Sequence, residues 1–226
     1  MANRPVFLPR PNEAKLVEIV NLDFEWHPGF ARVQKQKSIQ SLHEAAKDKT
    51  GAEVLEISGK SSNPLGRNLS AFSLSFQKST WPKCSVECAY QGSKIFENGG
   101  PYTDLYLTSS REAKTDSRVK NSGDIIGFSW LGEDWPILPM TYFYDWLYIN
   151  ALLQNMALTE QLLGYQGFTD IEFNPKKSIN CQAHSAALFV ALQKSGQLDN
   201  VMNSQTVLKN SLEAMYRSPP VQGRLI

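Results

Sequence analysis

The chain is short of cysteine and histidine, has almost no net charge, and contains no long apolar run; each scarcity removes a class of protein. Its three cysteines, Cys84, Cys88 and Cys181, form no CxxC pair. An odd, scattered set argues against a disulfide framework and for a reducing compartment. The three histidines, His27, His43 and His184, have no metal-ligand spacing, so no metal site is expected. A net charge of +1 argues against a protein that holds nucleic acid mainly by bulk electrostatics, and leaves room for local basic patches. No uncharged apolar stretch approaches the ~20 residues of a membrane span. The opening Met-Ala-Asn-Arg-Pro lacks the apolar centre of a secretion signal, so the expected location is the cytoplasm. P-loop, dinucleotide-binding glycine, HExxH and GxSxG patterns are all missing, which leaves no expected cofactor.

What is present is a globular composition, 42% hydrophobic and 11% aromatic over 226 residues. Residues 4–9 and 17–26 read as strands, Val33 to Lys49 as an amphipathic helix ended by Gly51, and Val54 to Ser58 as a strand. Gly59–Arg67 reads as a loop, and the alternation from Leu69 to Phe76 as a half-exposed strand. A helix over Ser85–Phe96 stops before Asn98-Gly99-Gly100-Pro101. Further on, the pattern predicts a helix over Ser110–Lys120, a strand over Ile125–Trp130, a long helix from Thr141 to Leu163, a short strand at Ile171–Phe173, a helix over Cys181–Lys194, and an extended tail after Arg217. Strands and helices do not alternate regularly, so the expected class is α+β. The expected division is an N-terminal αβ extension (1–59), a core (60–196) with a small mixed or antiparallel sheet, and a C-terminal helix and tail (197–226).

The segment Ser85–Phe96 carries the most chemistry. Read as a helix, it groups Glu87, Gln91 and Lys94 within about 60° and leaves the rest of its circumference apolar. Glu87 and Lys94 would then lie about 10.5 Å apart along the axis, with side chains able to converge on one substrate. A glutamate beside Tyr90 and Val86 suits proton transfer to a leaving group, and a desolvated lysine suits attack on a sugar carbonyl. A solvated charged stripe is the plainer reading of the same spacing. Lys60, Ser61 and Arg67 in one loop and the Gly99-Gly100 turn in another have the residue types of phosphate-binding loops, although turns of this composition are more often structural. The rings from Tyr142 to Tyr148 read mainly as core, with stacking of a base as the alternative. Asp145 among them requires a partner if buried. Cys181 and His184, on adjacent turns, read as inert core neighbours.

Three segments in order, Leu69-Ser70-Ala71-Phe72, Ser85-Val86-Glu87-Cys88-Ala89-Tyr90-Gln91-Gly92-Ser93-Lys94 and Ser110-Arg111-Glu112-Ala113-Lys114, resemble the motifs LSNF, SVEHxYQxxK and SPREAK of the NADAR (YbiA-like) family. The later stretch Asn155–Phe173 is similar to the family's run ending in LVE, and the resemblance covers about residues 65–195. It implies a helix-rich NADAR core and N-glycosidase activity on ADP-ribose-type substrates. The N-terminal segment and Phe96–Leu105 look like the branch paired with DarT-type DNA ADP-ribosyltransferase toxins. The implied substrate is then ADP-ribosylated guanine in DNA, with the toxin as functional partner. Phosphorylated riboflavin-pathway intermediates are the alternative substrates, and a non-catalytic ADP-ribose or toxin-binding module the alternative role.

By motif, the resemblance makes Glu87 the catalytic glutamate and Lys94 the lysine proposed to form a Schiff base with ring-opened ribose. The expected substrate contacts are Ser70, Phe72, Tyr90, Gln91, Tyr102, Asp104, Glu172, Asn174 and Asn180. The chain departs from the pattern at Ala71 (family Asn) and Cys88 (family His). The DxxWG after LVE becomes Lys177-Ser178-Ile179-Asn180-Cys181, and Asn180 or the Tyr142–Tyr148 run is expected to stand in for its lost tryptophan.

Overall fold

A computed structural model describes residues 1–77, 81–176, 178–203 and 205–216. The chain begins with β1 (Ala2–Pro9), β2 (Val17–Phe24), α1 (Arg32–Thr50) and β3 (Val54–Glu56). Then come α2 (Pro64–Asn68), β4 (Ser75–Phe76), β5 (Cys84–Ser85), α3 (Val86–Gly92) and β6 (Lys94–Phe96). A 3-10 turn (Thr103–Leu107), α4 (Ser110–Thr115), α5 (Ser117–Asn121), β7 (Ile125–Trp130) and β8 (Glu133–Trp135) follow. The last elements are α6 (Tyr142–Leu153), α7 (Met156–Leu162), β9 (Gly167–Thr169), α8 (Gln182–Lys194), α9 (Leu198–Met202) and α10 (Gln205–Tyr216). The class is α+β, as the irregular order of elements predicts.

The described residues form three small sheets, ordered β2-β1-β9-β3, β4-β5 and β6-β7-β8. In the first, β1 is antiparallel to β2 and β9, and β3 is parallel to β9. Successive side chains of a strand point to opposite faces. Val6 and Leu8 accordingly pack with Ile39, Leu42 and Ala46 of α1, while Phe7 enters the larger core containing α8. The first 59 residues and the segment 167–169 thus build one sheet covered on both faces. In the larger core, α6 packs against α8, both almost wholly buried. Among the described residues, no helix is long and apolar enough to cross a membrane.

Several expected elements are corrected. The loop expected over Gly59–Arg67 contains α2, whose start is stabilised by Pro64 at its first position and by Asn63, which accepts from Leu65 N at 2.9 Å. The tight fit of this helix rests on Gly66, where an added Cβ would fall 1.9 Å from Glu56 O. Gly66→Ala is expected to lower stability by about 1–3 kcal/mol, since backbone must shift to admit the methyl; urea denaturation measures it.

The strand expected over Leu69–Phe76 is mostly a turn, closed by Leu74 N donating to Ser70 O at 2.7 Å, and only Ser75–Phe76 is extended. The Ser110–Lys120 helix breaks at Asp116, which caps α5 by accepting from Arg118 N. The long helix over 141–163 breaks at Asn155, because its side-chain amide ties Ala151 O to Ser75 O instead of continuing the helix. The strand expected at Ile171–Phe173 lies earlier, at Gly167–Thr169; Asp170 then accepts from Glu172 N and Phe173 N and turns the chain. The tail after Arg217 lies outside the described residues.

The Ser85–Phe96 helix ends at Gly92, and Lys94 opens a strand. The 3-10 turn presses on this point: a Cβ at Gly92 would meet Tyr106 Cε1 at 2.5 Å. Ser93 then ties its hydroxyl to Ala89 O and to the Tyr106 hydroxyl. The 10.5 Å helical separation of Glu87 and Lys94 therefore does not apply.

Candidate active site

Hydrogen bonds lace the three short motifs into one wall. Ser110 Oγ bonds Phe72 O and Ser85 Oγ, both at 2.8 Å. Glu87 N donates to Ala71 O at 3.0 Å, and Ser85 caps α3 by accepting from Cys88 N. A reciprocal cap between Ser109 and Glu112 starts α4 and aims Lys114 toward α3. The spacing of the motifs along the chain is thus the spacing needed to close this wall.

The wall borders a cavity of about 660 Å³, within the range of small-molecule sites. Glu87, Tyr90 and Gln91 of α3 face it, as do Ser70, Ala71 and Phe72 of the preceding turn. Ser58, Gly59 and Lys60 approach from the loop after β3, and Tyr144 from α6. The segment after β9 supplies Asp170, Glu172, Phe173, Asn174, Ser178, Asn180 and Gln182. Of the sequence-predicted contacts, Lys60, Ser70, Phe72, Glu87, Tyr90, Gln91, Glu172, Asn174 and Asn180 are brought together here.

Glu87 is buried in the first turn of α3, where the helix dipole favours an anion. Gln91 Nε2 donates to its Oε1 at 2.8 Å, and Lys114 Nζ lies 3.5 Å from the same oxygen. Lys114 also sits 5.2 Å from the Phe72 ring centroid. Tyr90 packs edge-on against Tyr144 at 5.1 Å, and its hydroxyl accepts from Asn180 Nδ2 at 2.6 Å. Gln91 Oε1 and Asn180 Oδ1 are buried acceptors with no partner among the described residues. Such atoms are costly unless a ligand or water supplies a donor.

Lys94 is not part of the wall. It is 1% exposed on β6, behind Tyr90, with Nζ 4.8 Å from the ring centroid. Burial lowers its pKa to about 8; the charge of Glu87 opposes the shift and that of Lys114 adds to it. The helical stripe is therefore corrected to two wall residues with a lysine behind them.

Other expected contacts lie elsewhere. Ser61 is buried, and its carbonyl accepts from Arg32 and Arg67, so these groups shape the loop. Gly100, at φ +87°, is needed because a Cβ would meet Lys94 O at 2.3 Å; at Gly99, φ +158°, one would meet the Tyr102 hydroxyl at the same distance. Tyr102 bonds Ser122, and Asp104 pairs with Arg118, which also covers the Tyr102 ring. The Gly99-Gly100 turn braces β6 and is not a cradle in this cavity. Among the remaining rings, Tyr142, Phe143, Trp146 and Tyr148 are core, and buried Asp145 accepts from Ser185 Oγ at 2.6 Å. All three cysteines are free and buried.

Sequence reasoning missed Lys114, although it quoted the motif containing it, and missed Asp170 and Gln182 with no local signal. Gln182 Nε2 donates to Asp170 Oδ2 and Ile57 O, while its Oε1 accepts from Ala71 N. Burial and then the charge of neighbouring Glu56 push the Asp170 carboxyl up to about 8. Glu56, itself raised by burial, accepts from Ser58, Thr169 and Ile171 N. A carboxyl whose folded pKa is raised stays protonated where the unfolded chain has already released its proton. Stability is then expected to fall as pH rises from about 4 toward 8. Asp170→Asn should flatten that dependence, as read by denaturation midpoints at pH 5 and 9.

A sequence profile of the DarT1-associated NADAR antitoxins matches residues 2–220 of the 226. The chain belongs to that family. No curated protein sequence matches it. Within this NADAR chain, the departures from the family motifs take physical form. Ala71 keeps its backbone role between Glu87 and Gln182. Cys88 turns away from the cavity and donates to Thr108 O at 3.2 Å. Of the alternatives expected to stand in for the lost tryptophan, Asn180 lines the cavity, and of the Tyr142–Tyr148 run Tyr144 does; Lys177 lies outside the described residues.

Proposed function

We propose that this NADAR antitoxin is an N-glycosidase that releases ADP-ribose from guanine in DNA and so reverses the DarT-type modification. The observation that carries the reading is Glu87: a buried carboxyl at a cavity wall, held by Gln91 and Lys114, in a family of DarT1-associated antitoxins. Cleaving the bond from ribose C1 to guanine nitrogen leaves an electron pair on guanine and a positive, oxocarbenium-like C1. The carboxyl group of Glu87 performs the proton transfers and supports the charge at C1. Lys94 reaches C1 only when the Tyr90 ring in front of it turns aside. Its neutral Nζ then bonds to C1 as the guanine bond breaks, and guanine departs with the proton that Nζ gives up through Glu87. The ribose ring opens with its ring oxygen taking the remaining amine proton, leaving a C1=N imine. Water then adds across the C1=N bond, and loss of the amine leaves the C1 aldehyde, which recloses as free ADP-ribose and restores Lys94.

Gln91 Oε1 and Asn180 Oδ1 offer acceptors for ribose hydroxyls or the guanine amine. Lys60 and Lys114 offer cations to the pyrophosphate, and the rings of Phe72 and Tyr144 offer stacking surfaces. Incubation with guanine-ADP-ribosylated DNA tests the reading, with free ADP-ribose and intact guanine as expected products. Tight binding without turnover would mean a binding module instead.

A further inference from the structure

Phe30 is fully exposed, the largest such ring among the described residues, and it sits in the loop between β2 and α1. That loop is fixed against the cavity at two points. Arg32, two residues on, donates to Ser61 O at 3.1 Å, next to Lys60 of the cavity wall. Lys35, one turn along α1, pairs at 3.3 Å with Glu172, another wall residue. Trp26, at the other end of the loop, is flanked by Lys35 Nζ at 4.6 Å and by the Arg4 guanidinium at 5.7 Å from its ring. Phe30 thus projects into water from a loop whose flanking residues Arg32 and Lys35 are tied to Ser61, next to Lys60, and to Glu172 of the cavity wall. The nearby acids Asp23 and Glu172 are engaged by Asn3 and Lys35, and Glu25 faces His27 at 4.0 Å.

We infer that this rim, residues 26–35, binds the single-stranded DNA next to the modified guanine, with a neighbouring base stacked on Phe30 and its phosphates against Arg32 and Lys60. The inference rests on the cavity's taking the modified guanine. A lone exposed ring two residues from Arg32 and five from Lys35 suits a base and its phosphates, whereas a stable protein interface usually buries a broader patch. It also fits a chain with a net charge of only +1, because stacking supplies affinity that bulk charge does not.

The test compares wild type, Phe30→Ala and Phe30→Trp on ADP-ribosylated guanosine as a mononucleotide and within a ten-residue single strand. Phe30→Ala should raise KM about tenfold on the strand only, and Phe30→Trp should restore it. An equal effect on both substrates, or none on the strand, would overturn the inference. If wild type cleaves neither substrate, the proposed function fails on its own. Fluorescence anisotropy with the unmodified labelled strand then decides separately: about tenfold weaker binding by Phe30→Ala supports the rim, and unchanged binding overturns it. Loss of binding to a purified DarT-type toxin with DNA binding unchanged would also overturn it, by making the rim a protein contact.

Discussion

Glu87→Gln is expected to cut release of ADP-ribose from guanine-ADP-ribosylated DNA by about 10²–10⁴-fold, the range for removing a positioned acid–base group. The substitution keeps shape and an acceptor, so Gln91 Nε2 can still donate to the side chain at position 87. The ion pair with Lys114 is lost, but Lys114 is itself more than half exposed, and such pairs contribute little stability. Fold and ligand affinity should therefore survive while turnover does not. Single-turnover kinetics beside equilibrium binding separate the two effects. A Glu87→Gln protein that turns over at the wild-type rate would remove Glu87 from the chemistry.

Lys94→Met should cost at least about a hundredfold in rate with no loss of stability. Methionine fills a similar buried path and removes a cation that burial already disfavours. A pKa near 8 also sets a pH dependence for wild type. The reactive amine is the neutral form, so the rate should rise with pH and level off above about 8. The stability effect has a defined sign. Between about 8 and 10.5 the unfolded chain holds the Lys94 proton that the folded chain has released, so stability gains as pH rises through that window. Both slopes should vanish in Lys94→Met. Borohydride added during turnover should fix an ADP-ribose adduct to wild type and not to the variant. Full activity without Lys94 would assign it a packing role behind Tyr90.

The candidate site was partly legible because its wall is made of short contiguous segments. Ser70-Ala71-Phe72, Glu87 through Gln91, and Lys114 lie in local motifs whose helix caps and turn hydrogen bonds hold them together. The pyrophosphate candidates chosen by composition fared unevenly: Lys60 reaches the cavity, while Gly99 and Gly100 brace Lys94 and Tyr102 from another side. Glycines and hydroxyls that could cradle phosphate are the same residues that permit close backbone packing. Composition does not distinguish the two uses.

The order of the motifs determined the family, and the irregular mixture of periods determined the α+β class, because both are properties of neighbouring residues. Tertiary structure alone decided that Lys94 leaves the helix, since Tyr106, twelve residues after it in the chain, closes over Gly92 and ends α3. It alone also joined Asp170, Gln182 and Ser58 to the motif wall, through pairing of β3 with β9 and packing of α8. Local pattern specifies which face of an element is apolar, whereas the meeting of distant elements is set by how those faces fill one core.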